Sequence, residues 1–142
     1  MIADSRDRLN PRLLDLRHVT GAVTDRIHDL ALATRIDGGY MVAVLSGALD
    51  ITCAPDLRER FLRLLRPATS RLVIDLSLVS HTDASGLAVL VGTARRARLL
   101  GGSLRLAAPT PAMTKALRAA GLDMQLDIFP TVQSAIRSPA PA

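Results

Sequence analysis

Residues 80–87 read Ser-His-Thr-Asp-Ala-Ser-Gly-Leu and lie between two strongly apolar segments. The segment before them, residues 72–76, is typical of a buried strand, and the Ala-rich stretch after them, which ends at Gly101-Gly102, is typical of a helix. The pattern predicts a strand, a polar turn and a helix with Ser85 in its first turn. Because a helix start exposes unpaired backbone N–H groups and the positive end of a dipole, a serine there is either a simple cap or a position suited to a phosphate.

Strand and helix patterns alternate along the rest of the chain. A hairpin comes first, with the turn Asp37-Gly38-Gly39 between two apolar strands. The predicted strands are 30–36, 40–45, 71–77, 104–108 and 125–129, and the predicted helices are 55–66, 85–100, 113–120 and 131–137. This order predicts a single α/β domain with a mixed, mostly parallel sheet of about five strands covered by about four helices.

The two ends of the chain differ from this domain. Residues 1–28 are polar, and their later apolar residues recur at intervals of three and four. That spacing predicts an amphipathic helix over about 12–28, although an internal glycine makes a loosely ordered extension equally compatible with the sequence. The predicted domain then covers residues 29–137, and residues 138–142 are predicted to be a disordered tail.

The charge of the chain limits its partners. The formal net charge is +5, and its 18 basic residues include a single lysine. Arginines around residues 58–66 are interleaved with Asp56 and Glu59, which favours solvated helix faces over a nucleic-acid footprint, and an acidic protein partner would suit the same faces. The aromatic share of 2% also argues against a module that stacks bases. No direct nucleic-acid partner is therefore predicted.

The sequence also indicates a compartment. Cys53 is the only cysteine, so no intrachain disulfide can form, and residues 1–7 lack an apolar signal core. The longest apolar stretch is far shorter than the roughly 20 residues that span a bilayer. We expect a cytoplasmic protein without a membrane partner.

Catalysis is not supported by the residues near Ser85. A lipase-type nucleophile needs the pattern Gly-x-Ser-x-Gly, but Asp83 stands two residues before Ser85, and no third group is available to orient His81 as a base. One cysteine and three scattered histidines offer no metal-ligand spacing, and no phosphate-binding glycine loop is present. We predict no enzyme, no catalytic or metal-binding residue and no cofactor.

Two connections between a strand and a helix carry one carboxylate each, Asp50 and Asp83. Parallel strands point the same way, so both carboxylates are expected at one edge of the domain. Phosphorylation of Ser85 there would add roughly −1.5 to −2 charges and repel an acidic partner without unfolding the helix. The residues alone leave the cap and the phosphate position open, and slightly favour the cap.

At these positions the sequence resembles the STAS domain family, and within it the bacterial anti-sigma factor antagonists. The resemblance covers about residues 29–137. Residues 45–55 are similar to the Gly-Glu-Leu-Asp connection of the family, and residues 73–77 followed by 82–87 are similar to its Asp-Ser-Ser-Gly-Leu signature. Ala84 replaces the first serine of that signature, so Ser85 is its only hydroxyl, and Ala48 replaces the usual glutamate.

The resemblance implies a phosphorylation switch. The unmodified protein would bind an anti-sigma factor that is also a serine kinase and so release a sigma factor. Phosphorylation of Ser85 would end that binding, and a serine/threonine phosphatase would restore it. The implied partner-binding residues are Asp50, Thr52, Thr82, Asp83, Ala84, Gly86 and Leu87. A second copy of the chain is a further candidate partner, and the alternative function is that of a STAS scaffold or transport-complex subunit that is never phosphorylated.

Overall fold

The computed structural model describes residues 23–139, which form one six-stranded sheet covered by helices. None of the helices in this part of the chain is long and apolar enough to cross a membrane. The strands are β1 (Val23–Ile27), β2 (Leu30–Asp37), β3 (Tyr40–Leu49), β4 (Arg71–Thr82), β5 (Ser103–Ala107) and β6 (Asp127–Phe129). The helices are α1 (Ala54–Leu64), α2 (Ala84–Leu99), α3 (Pro111–Ala119) and α4 (Val132–Arg137).

The strands lie in the sheet in their chain order, from β1 to β6. The first three pair antiparallel, and β3 to β6 pair parallel through the helical crossovers. This is the predicted α/β architecture with a mixed, mostly parallel sheet. Parallel pairing directs the carboxyl ends of β3, β4 and β5 to one edge, where a helix follows each of them.

The hydrophobic core lies mainly on one face of the sheet. Alternate residues of the central strands point into it, such as Leu72, Ile74 and Leu76 of β4, while Val73 points to the opposite face. The nearly continuous apolar run in β4 therefore arises because both faces are covered. Helices α1, α2 and α3 contribute buried residues to the larger core, and α4 contributes to the smaller one.

One strand was not predicted. Residues 23–27 form β1, which pairs antiparallel with β2, so the predicted helix over 12–28 is wrong for this part. Three of its five residues are β-branched, and the neighbouring β2 offers an unpaired backbone edge, so strand pairing prevails over the helical spacing. Residues 12–22 lie outside the described residues. The sheet consequently begins before residue 29 and has six strands instead of about five.

The carboxyl-terminal boundary also differs. The tail was predicted to begin at Ser138, but the carbonyl oxygens of Ser138 and Pro139 accept hydrogen bonds from the buried Arg105 guanidinium at 2.7 and 2.8 Å. These two residues are therefore held against β5. Residues 140–142 lie outside the described part of the chain.

Candidate functional site at the carboxyl ends of β3 and β4

The two connections between a strand and a helix, one from β3 to α1 and the other from β4 to α2, are in direct contact. We call them the two junctions. Both strands are longer than predicted, and their last pair joins Leu49 of β3 to Thr82 of β4. The Thr82 hydroxyl also donates a hydrogen bond to the Leu49 carbonyl oxygen at 2.8 Å. The polar segments that precede α1 and α2 are thus carried to the same point at the sheet edge.

Gly86 allows this close approach. A Cβ atom at this position would lie 2.0 Å from the Leu49 carbonyl oxygen and 2.7 Å from the Thr82 hydroxyl. Any side chain would therefore force the first turn of α2 away from the end of β3. The glycine of the signature is explained by packing between the two junctions.

Asp83 holds both junctions with one carboxylate. Its Oδ1 accepts from the Gly86 backbone N–H at 3.0 Å and caps α2, while its Oδ2 accepts from the Ile51 N–H at 3.1 Å in the other junction. The hydrogen bond from Gly86, followed by those from Ile51 and Ser85 and by the charge of His81, holds the pKa of Asp83 below its ordinary value. The carboxylate therefore stays ionised and ties the two loops together.

Asp50 orders the loop before α1. Its Oδ1 accepts from both the backbone N–H and the hydroxyl of Thr52, at 3.0 and 2.6 Å. Its Oδ2 lies 3.9 Å from Nε2 of His81, and only 18% of the Asp50 side chain is exposed. The carboxylate is therefore mainly engaged in shaping the loop, with one edge open to solvent.

The structure separates the roles of Ser85 and Asp83. Asp83 is the residue that caps α2, so the alternative in which Ser85 caps the helix is wrong. Ser85 lies in the first turn, as predicted, and is half-buried. Within residues 23–139 its hydroxyl makes no hydrogen bond to a protein group. The hydroxyl is therefore available for chemistry or for a partner.

The other predicted site residues divide by exposure. Thr52 and Ala84 are exposed, and Thr82 is half-buried at the strand end. Gly86 and Leu87 are buried in the domain, and their role as partner contacts stays a prediction. Both position the helix from within the domain.

Ser85 also opens onto a groove that the sequence did not reveal. The groove has a volume of about 620 Å³ and lies between α1 and α2. Its lining includes Ser85, Ala88 and Gly92 of α2, together with Arg58 of α1 and Arg95 of α2. The spacing of the α2 residues by three and four indicates in the sequence that they share one face of the helix. Only the packing of α1 beside α2 shows that this face lines a groove.

The cysteine offers no alternative chemistry. Cys53 is buried, and its Sγ lies 3.4 Å from the Asp50 carbonyl oxygen as a hydrogen-bond donor. Burial raises the pKa of the Cys53 thiol. Since the thiolate is the reactive form, this cysteine is suited to packing and not to nucleophilic catalysis.

The fold and this pair of junctions define the class of the protein. The model of the STAS domain matches residues 31–135, and the chain belongs to that family. Its similarity extends to anti-sigma factor antagonists within the family. The anti-sigma-B factor antagonist of Bacillus subtilis (strain 168) is 34% identical over 84 residues, which cover 59% of this chain and 76% of that protein.

Solved structures agree on the fold. The crystal structure of an anti-sigma factor antagonist from Mycobacterium paratuberculosis aligns with a TM-score of 0.68 and 27% identity, over 75% of this chain and 91% of that one. A sulfate transporter family protein from Wolinella succinogenes aligns with a TM-score of 0.62 and 18% identity, over 72% of this chain and 85% of that one. The second similarity concerns the fold alone.

Proposed function

We propose that this protein is an anti-sigma factor antagonist that is switched off by phosphorylation of Ser85. The observation that carries the proposal is the Ser85 hydroxyl, which is unbonded within residues 23–139 while Asp83 caps the helix in its place. Because Asp83 supplies the cap, the Ser85 hydroxyl has no structural hydrogen bond to give up within that range and is available for modification. The relationship to anti-sigma factor antagonists supplies the partner class.

The physical effect of the phosphate is a change of surface charge. A phosphoserine carries roughly −1.5 to −2 charges at neutral pH. In the first turn of α2 it would be favoured by the helix dipole, so the fold would be kept. The carboxylates of Asp83 and Asp50 already stand at this edge. The modified edge would therefore be strongly negative and would repel acidic groups of a bound partner.

The proposed cycle needs two other proteins. The unmodified antagonist binds an anti-sigma factor with serine kinase activity through the exposed surface around Thr52 and Ala84, which frees a sigma factor. The kinase transfers the γ-phosphoryl group of ATP to the Ser85 hydroxyl, with loss of the hydroxyl proton and release of ADP. A serine/threonine phosphatase then hydrolyses the phosphoserine and restores the hydroxyl. The antagonist acts as a binding protein and not as an enzyme.

Phosphorylation is tested first by mass. The protein is incubated with its cognate kinase and ATP, and its intact mass is measured. We expect the gain of a single phosphate that is lost in Ser85→Ala. The matched control is Ser80→Ala, since Ser80 is exposed on the same sheet edge and should leave the phosphate gain unchanged. No gain of mass, or a gain that persists in Ser85→Ala, contradicts the proposal.

Partner binding is tested by a charge mimic. Ser85→Asp places a carboxylate at the modified position and is expected to weaken binding of the kinase by about tenfold or more, which corresponds to about 1.4 kcal/mol. Ser80→Asp adds the same charge at an exposed site of the same edge and should have a smaller effect. Binding that is indifferent to both substitutions favours the alternative, a STAS scaffold or transport-complex subunit that is not phosphorylated.

A further inference from the structure

The groove beside Ser85 continues along the whole length of α2. A second depression of about 220 Å³ follows the first and is lined by Leu62 of α1 and by Arg96 and Leu99 at the far end of α2. Arg58, Gly92 and Arg95 line both depressions, so the two form one channel between the helices. We call it the α1–α2 groove. Ser85 lies at its amino-terminal end.

The rim of the α1–α2 groove carries positive charge. Neighbouring arginines of α1 are paired, Arg60 with Asp25 of β1 and Arg63 with Glu59. Arg58, Arg95 and Arg96 line the groove and form no salt bridge with any residue in the described range 23–139. A groove edged by such cations attracts acidic groups.

The floor of the groove and the end far from Ser85 are apolar and open. Leu62 and Leu99 are 42% and 74% exposed, so the far end of the groove presents apolar surface to solvent. Gly92 lies in the middle of α2, where glycine disfavours a helix, and a Cβ atom there would contact nothing within 4 Å. Packing inside the domain therefore does not require this glycine. The open space beside Gly92 instead leaves room for another chain to approach the helix closely.

We propose that the α1–α2 groove binds an acidic amphipathic segment of a partner protein, with leucine-like side chains on the floor and carboxylates against Arg58, Arg95 and Arg96. This rests on the proposed function for the identity of the partner, an anti-sigma factor. It also extends that function, because a phosphate on Ser85 would lie at the end of the same groove and compete with the carboxylates for the arginines.

A protein segment fits the groove better than its competitors do. Nucleic acid would meet an apolar floor without aromatic side chains and the carboxylate of Asp83 near one end. The chain's own residues 1–22 contain three aspartates and four arginines and so lack the required negative charge. Amphipathic helices are a common occupant of grooves of this kind, with anchors at i, i+3, i+4 and i+7.

The test uses a synthetic probe and the full chain. The probe is a helical peptide with leucines at i, i+3, i+4 and i+7 and glutamates elsewhere, and its binding is followed by fluorescence anisotropy. The double variant Arg58→Glu/Arg95→Glu is expected to raise Kd by about tenfold or more. The matched control is Arg118→Glu/Arg137→Glu, which makes the same change of net charge at exposed positions of α3 and α4 and should change Kd by less than about threefold.

A steric variant keeps the proposal testable without changing charge. Gly92→Leu is expected to fill the groove and reduce peptide binding by about tenfold, whereas Ala119→Leu, at an exposed position of α3, should leave it unchanged. Circular dichroism and thermal unfolding confirm that each variant is folded. The proposal is overturned if Kd is unchanged in both groove variants, if a lysine version of the peptide binds equally well, or if duplex DNA binds the groove more tightly than the peptide.

The two proposals fail in distinguishable ways. The peptide assay needs neither the kinase nor ATP, so a negative result overturns the groove proposal and leaves the phosphorylation result at Ser85 standing. Absence of phosphate on Ser85, with peptide binding intact, overturns the switch and keeps the groove as a docking site. In the switch itself, Ser85→Asp is expected to weaken peptide binding in the same direction as the charge-reversed arginines.

Discussion

At the scale of single residues, Asp83 explains why the two junctions behave as one site. Its two oxygens accept from backbone groups of different loops, the Gly86 N–H at the start of α2 and the Ile51 N–H before α1. The two N–H groups are bound by different oxygens of the carboxylate, so both acceptor oxygens of Asp83 are used in holding the loops together. Asp83 and Ser85 therefore have separate roles. The carboxylate of Asp83 provides the structural contacts, and the hydroxyl of Ser85 remains available.

We predict that Asp83→Asn lowers the stability of the domain in a pH-dependent way. Because the pKa of Asp83 is lowered in the folded state, its ionised form stabilises the fold above the ordinary carboxyl pKa of about 4, and that contribution is lost as pH falls through the lowered value. The free energy of unfolding, measured with urea at a series of pH values, should therefore be lower for the variant near neutrality. The difference from the wild type should shrink in acid.

The control for this measurement is Ser80→Ala, an exposed and non-titrating change at the same sheet edge, which should follow the wild-type curve. If the free energy of unfolding depends on pH in the same way for Asp83→Asn and the wild type, the charge of Asp83 does not contribute to stability. A variant that is more stable at neutral pH would contradict the bridging role as well.

At the scale of elements, the site depends on strands that continue past their apolar core. The sequence predicted where β3 and β4 begin, because their apolar residues mark them, but placed their ends about four or five residues too early. Polar residues such as His81 and Thr82 read as loop, yet they pair with Ala48 and Leu49 at the end of β3. Pairing between distant segments has no local signature, so the sequence could name Asp50, Asp83 and Ser85 but not their contacts.

Two glycines of the same helix should respond oppositely to alanine. Gly86→Ala is expected to lower the free energy of unfolding by about 2 kcal/mol, because its Cβ would meet the Leu49 carbonyl oxygen and the close packing cannot absorb it. Gly92→Ala should raise it by about 1 kcal/mol, since alanine favours the helix and its Cβ meets nothing. Chemical denaturation of the two variants is the measurement. If the two alanine variants change the free energy of unfolding equally, helix propensity alone determines the effect at both positions.

At the scale of the whole molecule, the second face of the sheet is closed by its carboxyl-terminal segment. Alternation along β5 places Arg105 on the face of the sheet opposite Leu104 and Leu106. From the sequence alone, this charged side chain would be assigned to solvent. The structure instead buries it to 2% exposure, because α4 and the rings of Tyr40 and Phe129 cover it. Burial of a cation follows from packing between segments that are far apart in the chain, and no local pattern encodes it.

This buried cation should be specifically an arginine. Its guanidinium donates to three carbonyl oxygens, those of Ala135, Ser138 and Pro139, and a lysine ammonium lacks the planar fork that reaches them together. We expect Arg105→Lys to lower the free energy of unfolding by about 2 kcal/mol, because hydrogen bonds from a buried charged group are lost. Hydrogen exchange of the α4 amides should become faster in the variant, since α4 is held to β5 through this side chain.

The matched control is Arg71→Lys, because the exposed Arg71 guanidinium also lies over the Tyr40 ring, at 4.4 Å. It should cost less than about 1 kcal/mol and leave exchange in α4 unchanged. Equal losses in the two variants would assign the effect to the shared aromatic ring and not to the carbonyl contacts. Arg105 and the α1–α2 groove lie on opposite faces of the sheet, so Arg105→Lys should change the stability of α4 without changing peptide binding or phosphorylation of Ser85.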